Sequence, residues 1–321
     1  MAFGMLVPFM LVALVANLTE RNRQYRWITQ TLLVLSNLLV LFSVLLVLLM
    51  KLAYGLSEVP LEMLPVEPRW GTAAAILALT GLLGFVPLVP GVRRLLARRL
   101  DIDPDSTVHT TALVFAVYMV GLTLMQIPFI GGLEGLEKLE VSLGSLDLWL
   151  QALALLLMGL IGVGLGLRRG VNETAARLGL RWPSWRMWLG VIGLVILLQA
   201  LDFGVAAGWH ALDPASYERI DRISERLFDS FMSPWGALAV GIAAGLSEET
   251  LFRGALQPRF GIVLTSLLFA VSHVQYGFSP ATLVIFVIGL ILGWLRKRSG
   301  LVACIALHAL YNIVNLLMAS L

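Results

Sequence analysis

The sequence predicts an all-α fold, a polytopic transmembrane helical bundle of about ten spans, and three observations carry that prediction. Of the 321 residues, 59% are hydrophobic and only 13% are charged, about half the charged share usual in a soluble domain. Mean hydropathy is +0.88. The apolar residues also come in runs of roughly 20, the length a helix needs to cross about 30 Å of hydrocarbon. Such a chain lacks the polar surface of a soluble enzyme, and it is the opposite of the polar, highly charged composition of a disordered one. The net charge of +3 points to no nucleic-acid partner, because the Lys and Arg residues sit in short loop clusters between apolar runs. The single cysteine, Cys304, lies in an apolar run and leaves no intrachain disulfide.

The runs fall at 2–18, 28–52, 72–92, 110–131, 146–167, 187–208, 232–256, 260–277, 280–296 and 301–320. The first reads as a helix and not a leader, since no basic residues precede it and no small-residue cleavage site follows. Pro87 and Pro90 kink or end the third. Gly159, Gly162, Gly164 and Gly166 give the fifth a small-residue face for helix packing; no strand precedes them, as a phosphate loop would require. The stretch 168–186, with Trp182, Pro183 and Trp185, reads as interfacial and marks the one internal boundary. Before it, 1–170 is a set of transmembrane helices of unassigned role; after it, 171–321 carries nearly all the intramembrane ionisable residues. Gln199 and Asp202 lie toward the outer end of the sixth run, where Asp202 reads as interfacial or hydrogen-bonded to a neighbour. The polar stretch 209–231 reads as a surface helix pairing Glu218 with Arg222, Arg222 with Glu225 and Arg226 with Asp229.

Loop charges set the orientation, because Lys and Arg concentrate in cytoplasmic loops. Most of the 23 basic residues fall in alternate loops, at Arg21 to Arg26, Arg93 to Arg99, Arg168 to Arg186, Arg253 and Arg259, and Arg296 to Arg298. The intervening loops mix a few basic residues with Glu58, Glu62, Glu67, Glu134, Glu137, Glu140, Glu218 and Glu225. Ten spans with both termini outside, in a plasma (inner) membrane, satisfy this asymmetry.

An ionisable group inside the bilayer costs at least ~2.5 kcal/mol on insertion scales, so each is a functional candidate by default. Three constellations stand out. Glu248 and Glu249 precede Arg253 late in the seventh run; Glu249 and Arg253, at i,i+4, share a helix face while Glu248 points about 100° away. Phe269 and His273 form an i,i+4 pair in the eighth run, and His308 and Asn312 form another in the tenth. At a 1.5 Å rise, Glu248, His273, His308 and Asn312 all lie about 10–20 Å below the cytoplasmic boundary, consistent with one shared cavity. A divalent metal, zinc above all, held by Glu248, His273 and His308 is one reading of that set; direct activation of water is the other. His109 and His210 sit at span ends and read as interfacial.

Glu-Glu-x-x-x-Arg, Phe-x-x-x-His and His-x-x-x-Asn, each in its own helix and in that order, resemble the CPBP family of CAAX proteases and bacteriocin-processing enzymes, also called abortive-infection proteins. The resemblance spans about 232–320 and makes 171–321 the catalytic region. It implies an intramembrane endopeptidase, commonly labelled a metalloprotease, with a core of about eight helices and two peripheral spans. It further implies Glu248 as general base, His273 as its assistant or a metal ligand, Glu249 and Arg253 as a supporting pair, and His308 and Asn312 as oxyanion donors. The partners implied are the lipid bilayer and a membrane-associated, possibly prenylated, protein or peptide substrate. His-Glu-x-x-His, Gly-x-Ser-Gly and Gly-x-Gly-Asp, the marks of other membrane proteases, are absent from the sequence. Two other readings remain: a transporter or channel whose ionisable residues line a path, and an inactive immunity or assembly factor of the same family.

Overall fold

The computed structural model describes residues 2–56, 66–139 and 141–320. Glu58, Glu62 and Glu140, named above among the opposite-side acids, lie outside the described residues. The described chain is helical throughout, without strands. In order it forms α1 (Ala2–Arg21), α2 (Arg26–Leu56), α3 (Trp70–Gly84), α4 (Pro90–Leu96), α5 (Thr107–Phe129), α6 (Leu133–Lys138), α7 (Ser145–Val163), α8 (Val171–Leu178), α9 (Trp185–Leu212), α10 (Pro214–Phe228), α11 (Pro234–Glu249), α12 (Gln257–Val271), α13 (Pro280–Ser299) and α14 (Leu301–Ala319).

Eight helical stretches among the described residues are long and apolar enough to cross a membrane. In α2 only 17% of the most apolar window is buried, and Leu35, Leu39, Phe42, Leu46 and Leu49 point outward. An apolar face of that extent needs lipid around it, so this is an integral membrane protein. Pro87 and Pro90 act as expected: α3 stops at Gly84 and a short turn leads into α4, with each proline in a first helical turn.

One of the eight stretches runs from Pro234 to Val271, and its interior divides into the two expected spans. A straight helix would hold residues 248 and 273 about 37 Å apart, yet the Glu248 and His273 side chains approach to 3.9 Å. The chain reverses at Gly261, whose φ of 75° and ψ of 176° lie in a region essentially reserved for glycine. The expected spans 232–256 and 260–277 are therefore two limbs of one hairpin, and α1 accounts for the tenth. The second limb is helical only from Gly261 to Val271, about 15 Å or half a bilayer. A 3-10 turn at Val274–Tyr276 and a loop complete the crossing. Irregular backbone at that depth is tolerated where protein surrounds it or a cavity adjoins it, and both hold here, as described below.

α11 and α14 approach until their backbones meet. A Cβ on Gly245 would sit 2.8 Å from the Ile305 carbonyl oxygen, and one on Gly241 2.7 Å from that of Ala309, the small-residue packing that membrane helices use. Beside them α9, α13 and α14 share an apolar core of Val191, Leu198, Ile288, Leu292, Cys304 and Leu307. The arginine-bearing loops gather at one end of the bundle: Arg21 donates to the Leu167 carbonyl, Arg177 to Gly254 and Ala255, Arg296 to Leu178 and Arg259 to Asp101. Alternate loops thus share a side, as the charge pattern requires.

At the other end, Glu218 pairs with Arg222 at 3.6 Å as expected. Arg222 and Arg226 turn from the anticipated i,i+3 partners to Glu137 of α6, Arg222 to its carboxylate at 2.9 Å and Arg226 to its carbonyl at 2.8 Å. The surface helix α10 is thereby tied to a neighbouring helix as well as stapled along its own face by the Glu218–Arg222 pair.

Gly261 has open space where a Cβ would go, so Gly261→Ala isolates the cost of its backbone conformation. The expected loss is about 1–3 kcal/mol, read as a lower melting temperature in detergent; an unchanged melt would mean that the reversal does not need glycine.

Candidate active site

The second half of α11 carries Glu248 and Glu249 into the bundle on different faces. Immediately beyond, Thr250–Leu256 forms a π-helical turn, a departure from regular helix that occurs most often at functional sites. Glu249 faces α14. Its side chain is fully buried, with Oε2 3.5 Å from Nε of the equally buried Arg253 and Oε1 3.0 Å from Nδ1 of His308. The expected Glu249–Arg253 pair is formed, and it has recruited a residue expected elsewhere.

Arg253 lies 4.6 Å from the centre of the Phe269 ring. That ring also meets His273 at 4.8 Å and, edge-on, Phe252 at 5.3 Å and His308 at 5.7 Å. One aromatic side chain therefore locates the cation and both imidazoles, a stronger role than its place in a Phe-x-x-x-His pattern declares. Both Arg253 terminal nitrogens are buried without a hydrogen-bond partner among the described residues. The charge is balanced by Glu249 and by the ring's electron-rich face.

Glu248 takes the opposite course. Its Oε2 is buried without a hydrogen-bond partner among the described residues and lies 3.9 Å from Nε2 of His273, too far for a direct hydrogen bond. His273 sits where α12 stops, at φ −94° and ψ 57°. Its Nδ1 lies 2.8 Å from the Phe269 carbonyl. A carbonyl only accepts, so Nδ1 carries the proton there, and in the neutral ring Nε2 presents a lone pair toward Glu248. Two acceptors thus face one gap.

Glu248, His273, His308 and Asn312 all line one cavity of about 1050 Å³, which brings together the four residues that sequence depth places at one level. His308 is less free than anticipated, since Nδ1 is engaged by Glu249 and only Nε2 remains for the cavity. The N-terminal helices, unassigned from sequence, form much of the wall through Phe9, Phe115, Met119, Leu155 and Met158. Asp202 also lines it and accepts from the Tyr311 hydroxyl at 3.1 Å, while Gln199 donates to the Tyr311 carbonyl. The hydrogen-bonded reading of Asp202 holds, but its place on the cavity wall was missed. Its intramembrane position was the signal; Tyr311, between two motif residues, gave none.

The anticipated metal set does not assemble. Glu248 and His273 make a pair, His308 is turned to Glu249, and among the described residues no group of three His, Cys, Asp or Glu side chains is placed to hold an ion. The donors fit a bound water better than a zinc centre of three protein ligands.

Removing one partner of a buried pair strands the other's charge. Arg253→Leu is expected to cost about 3–5 kcal/mol, seen as a sharp fall in melting temperature and in yield of monodisperse protein; wild-type stability would show that Glu249 does not depend on this cation.

Comparison with known proteins gives one finding. No curated protein and no solved structure matches the chain. Residues 230–314 match the family model described as type II CAAX prenyl endopeptidase Rce1-like, and all three motifs fall within that segment. The protein is therefore a polytopic membrane protein whose residues 230–314 are similar to the Rce1-like type II CAAX prenyl endopeptidases, a similarity consistent with the CPBP family of intramembrane proteases.

Proposed function

We propose that this protein hydrolyses a peptide bond of a membrane-associated protein or peptide, using a water held between Glu248 and His273. The observation that carries the reading is the gap of 3.9 Å between a buried, unpartnered carboxylate oxygen and an imidazole nitrogen oriented as an acceptor. A water there directs one O–H bond at each acceptor and turns its lone pairs outward, toward a scissile carbonyl carbon. Glu248 takes a proton as the water oxygen bonds to that carbon, and the carbonyl becomes an oxyanion. His308 and Asn312, one turn apart on α14, face the cavity as donors. For Nε2 of His308 to donate while Nδ1 donates to Glu249, the ring carries both protons, and the Glu249 carboxylate at 3.0 Å is its counter-charge. Collapse breaks the C–N bond, and the proton on Glu248 passes to the leaving amine.

The family description points to a prenylated substrate, and the apolar wall built by α1, α5 and α7 suits a lipid chain lying beside the peptide. The distribution of Lys and Arg supports an orientation with the arginine-rich end on the cytoplasmic side and both termini outside. No step requires a bound ion.

Glu248→Gln is expected to abolish cleavage of a membrane-tethered peptide, followed by mass spectrometry, with the melting temperature preserved; full activity would overturn the proposal. Asn312→Ala removes a donor and is expected to lower kcat roughly 10²–10³-fold without loss of folded protein, whereas loss of folding alone would leave Asn312 a packing residue. Turnover is expected to survive exhaustive dialysis against a chelator; a loss restored by zinc would return a metal to Glu248 and His273.

A further inference from the structure

We propose that Asp202, with Tyr276 and Tyr311 beside it, forms a subsite for a cationic side chain of the substrate, Lys or Arg, and so selects for a basic residue close to the bond that is cut. The inference rests on the hydrolytic reading above and adds to it a carboxylate that the hydrolytic step does not use. All three side chains line the same cavity as Glu248 and His273, toward the end away from the arginine-bearing loops.

Asp202 lies in α9, which ends at Leu212, about 15 Å further along the helix. An ionisable side chain at such a depth either pairs with a partner or marks a substrate path. The partner here is neutral: Oδ2 accepts from the Tyr311 hydroxyl at 3.1 Å. Among the described residues no basic side chain forms an ion pair with this carboxylate. Helix α10 adds to the deficit of positive charge. Its Arg219, Arg222 and Arg226 all turn to Glu137 of α6. Asp221 and Glu225 of the same helix line the cavity and have no ion pair among the described residues. Arg222, the partner that helical spacing assigns to Glu225, is thus spent elsewhere. This end of the cavity carries unbalanced negative charge, and an entering cation meets three carboxylates there.

The surroundings select an organic cation over a metal ion. Among the described residues no three His, Cys, Asp or Glu side chains are placed to hold a metal, whereas tyrosine faces attract ammonium and guanidinium groups. A Lys or Arg stem also lays its methylenes along apolar wall while the charged head reaches a carboxylate. Position sets which residue of the substrate is read. Tyr311 stands three residues past His308 on α14, about 4.5 Å along the axis. Tyr276 stacks on His273 at 6.5 Å and lies within electrostatic reach of both Asp202 and Glu248, so it joins the subsite to the reacting pair. An extended peptide advances about 3.3 Å per residue. The cation therefore belongs to a residue about one to three positions from the scissile bond, on the side facing away from the arginine-bearing loops.

The test uses the full chain in nanodiscs of phosphatidylcholine and labelled, membrane-tethered peptides in which a single Lys, or its uncharged acetyl-lysine counterpart, is moved through the positions on either side of the cut. At one window of positions, on one side only, Lys is expected to exceed acetyl-lysine in kcat/KM by about tenfold or more. In Asp202→Asn, which keeps an acceptor for Tyr311 and removes the charge, this ratio is expected to fall toward one with turnover of the acetyl-lysine peptide retained. Glu218→Gln, on α10 and paired with Arg222, is expected to keep the ratio. A second arm measures binding of the same peptides to Glu248→Gln by fluorescence anisotropy, where no hydrolysis is needed and the same preference is expected. Equal cleavage of Lys and acetyl-lysine peptides at every position, a comparison made on the wild type alone, would overturn the subsite and leave the hydrolytic reading standing. A preference that persists undiminished in Asp202→Asn would also overturn it. Lys-selective binding without cleavage by the wild type would sustain the subsite and sink hydrolysis. Retention of added phosphatidylethanolamine by the wild type but not by Asp202→Asn, with no discrimination between peptides, would make this a headgroup site and overturn the proposal.

Discussion

The fully buried contact of Glu249 with Arg253 and His308 is the constraint from which the site follows. A carboxylate in so apolar a setting is tolerated only when paired and hydrogen-bonded, and its two oxygens meet that condition in different directions. One reaches along its own helix to Arg253, at 3.5 Å, and the other crosses to α14, at 3.0 Å. The rotational setting of α11 against α14 is thereby fixed by charge, and the backbone contacts at Gly241 and Gly245 make the approach close enough for it. With Glu249 committed to that task, Glu248 is left facing the cavity with an oxygen that has no hydrogen-bond partner among the described residues. Two adjacent residues of one type are driven into opposite roles by the 100° that separates them on a helix.

Phe269 extends the constraint to the third element. Its ring packs on Arg253, meets His308 edge-on and abuts His273, so the donor side and the acceptor side of the cavity are registered to one rigid group. Its carbonyl also fixes which nitrogen of His273 carries the proton. Geometry and protonation are therefore set by the same residue, which is the kind of surrounding support that holds a reactive pair in place.

The bilayer made the site legible in sequence. Where any charge is costly, Glu248, Glu249, Arg253, His273 and His308 stand out from the apolar background, and helical spacing pairs them correctly. The same reasoning located the charged loops at one end of the bundle. It marked the turn between the seventh and eighth runs but failed where the backbone leaves regular helix within a run, because hydropathy reads composition and not direction: nothing there marks the π turn at Thr250–Leu256 or the stop at Val271. It failed also where a contact is purely tertiary. Arg222 takes Glu137 in place of Glu225 while keeping Glu218, Asp202 meets Tyr311 across two helices, and α1, α5 and α7 wall a cavity whose polar groups belong mostly to other spans.

The reversal at Gly261 has a bearing on assembly as well as on shape. A helical limb of about 15 Å cannot cross a bilayer by itself, so the segment from Pro234 to Ser279 acts as one hairpin unit, its second limb crossing beside α11 with the turn and loop after Val271. Glu248 and His273 belong to that unit and meet as soon as it closes. His308 and Asn312 arrive on the last helix of the described chain. The Glu248–His273 pair thus lies within one local hairpin, whereas the cavity that His308 and Asn312 also line is complete only once α14 has docked.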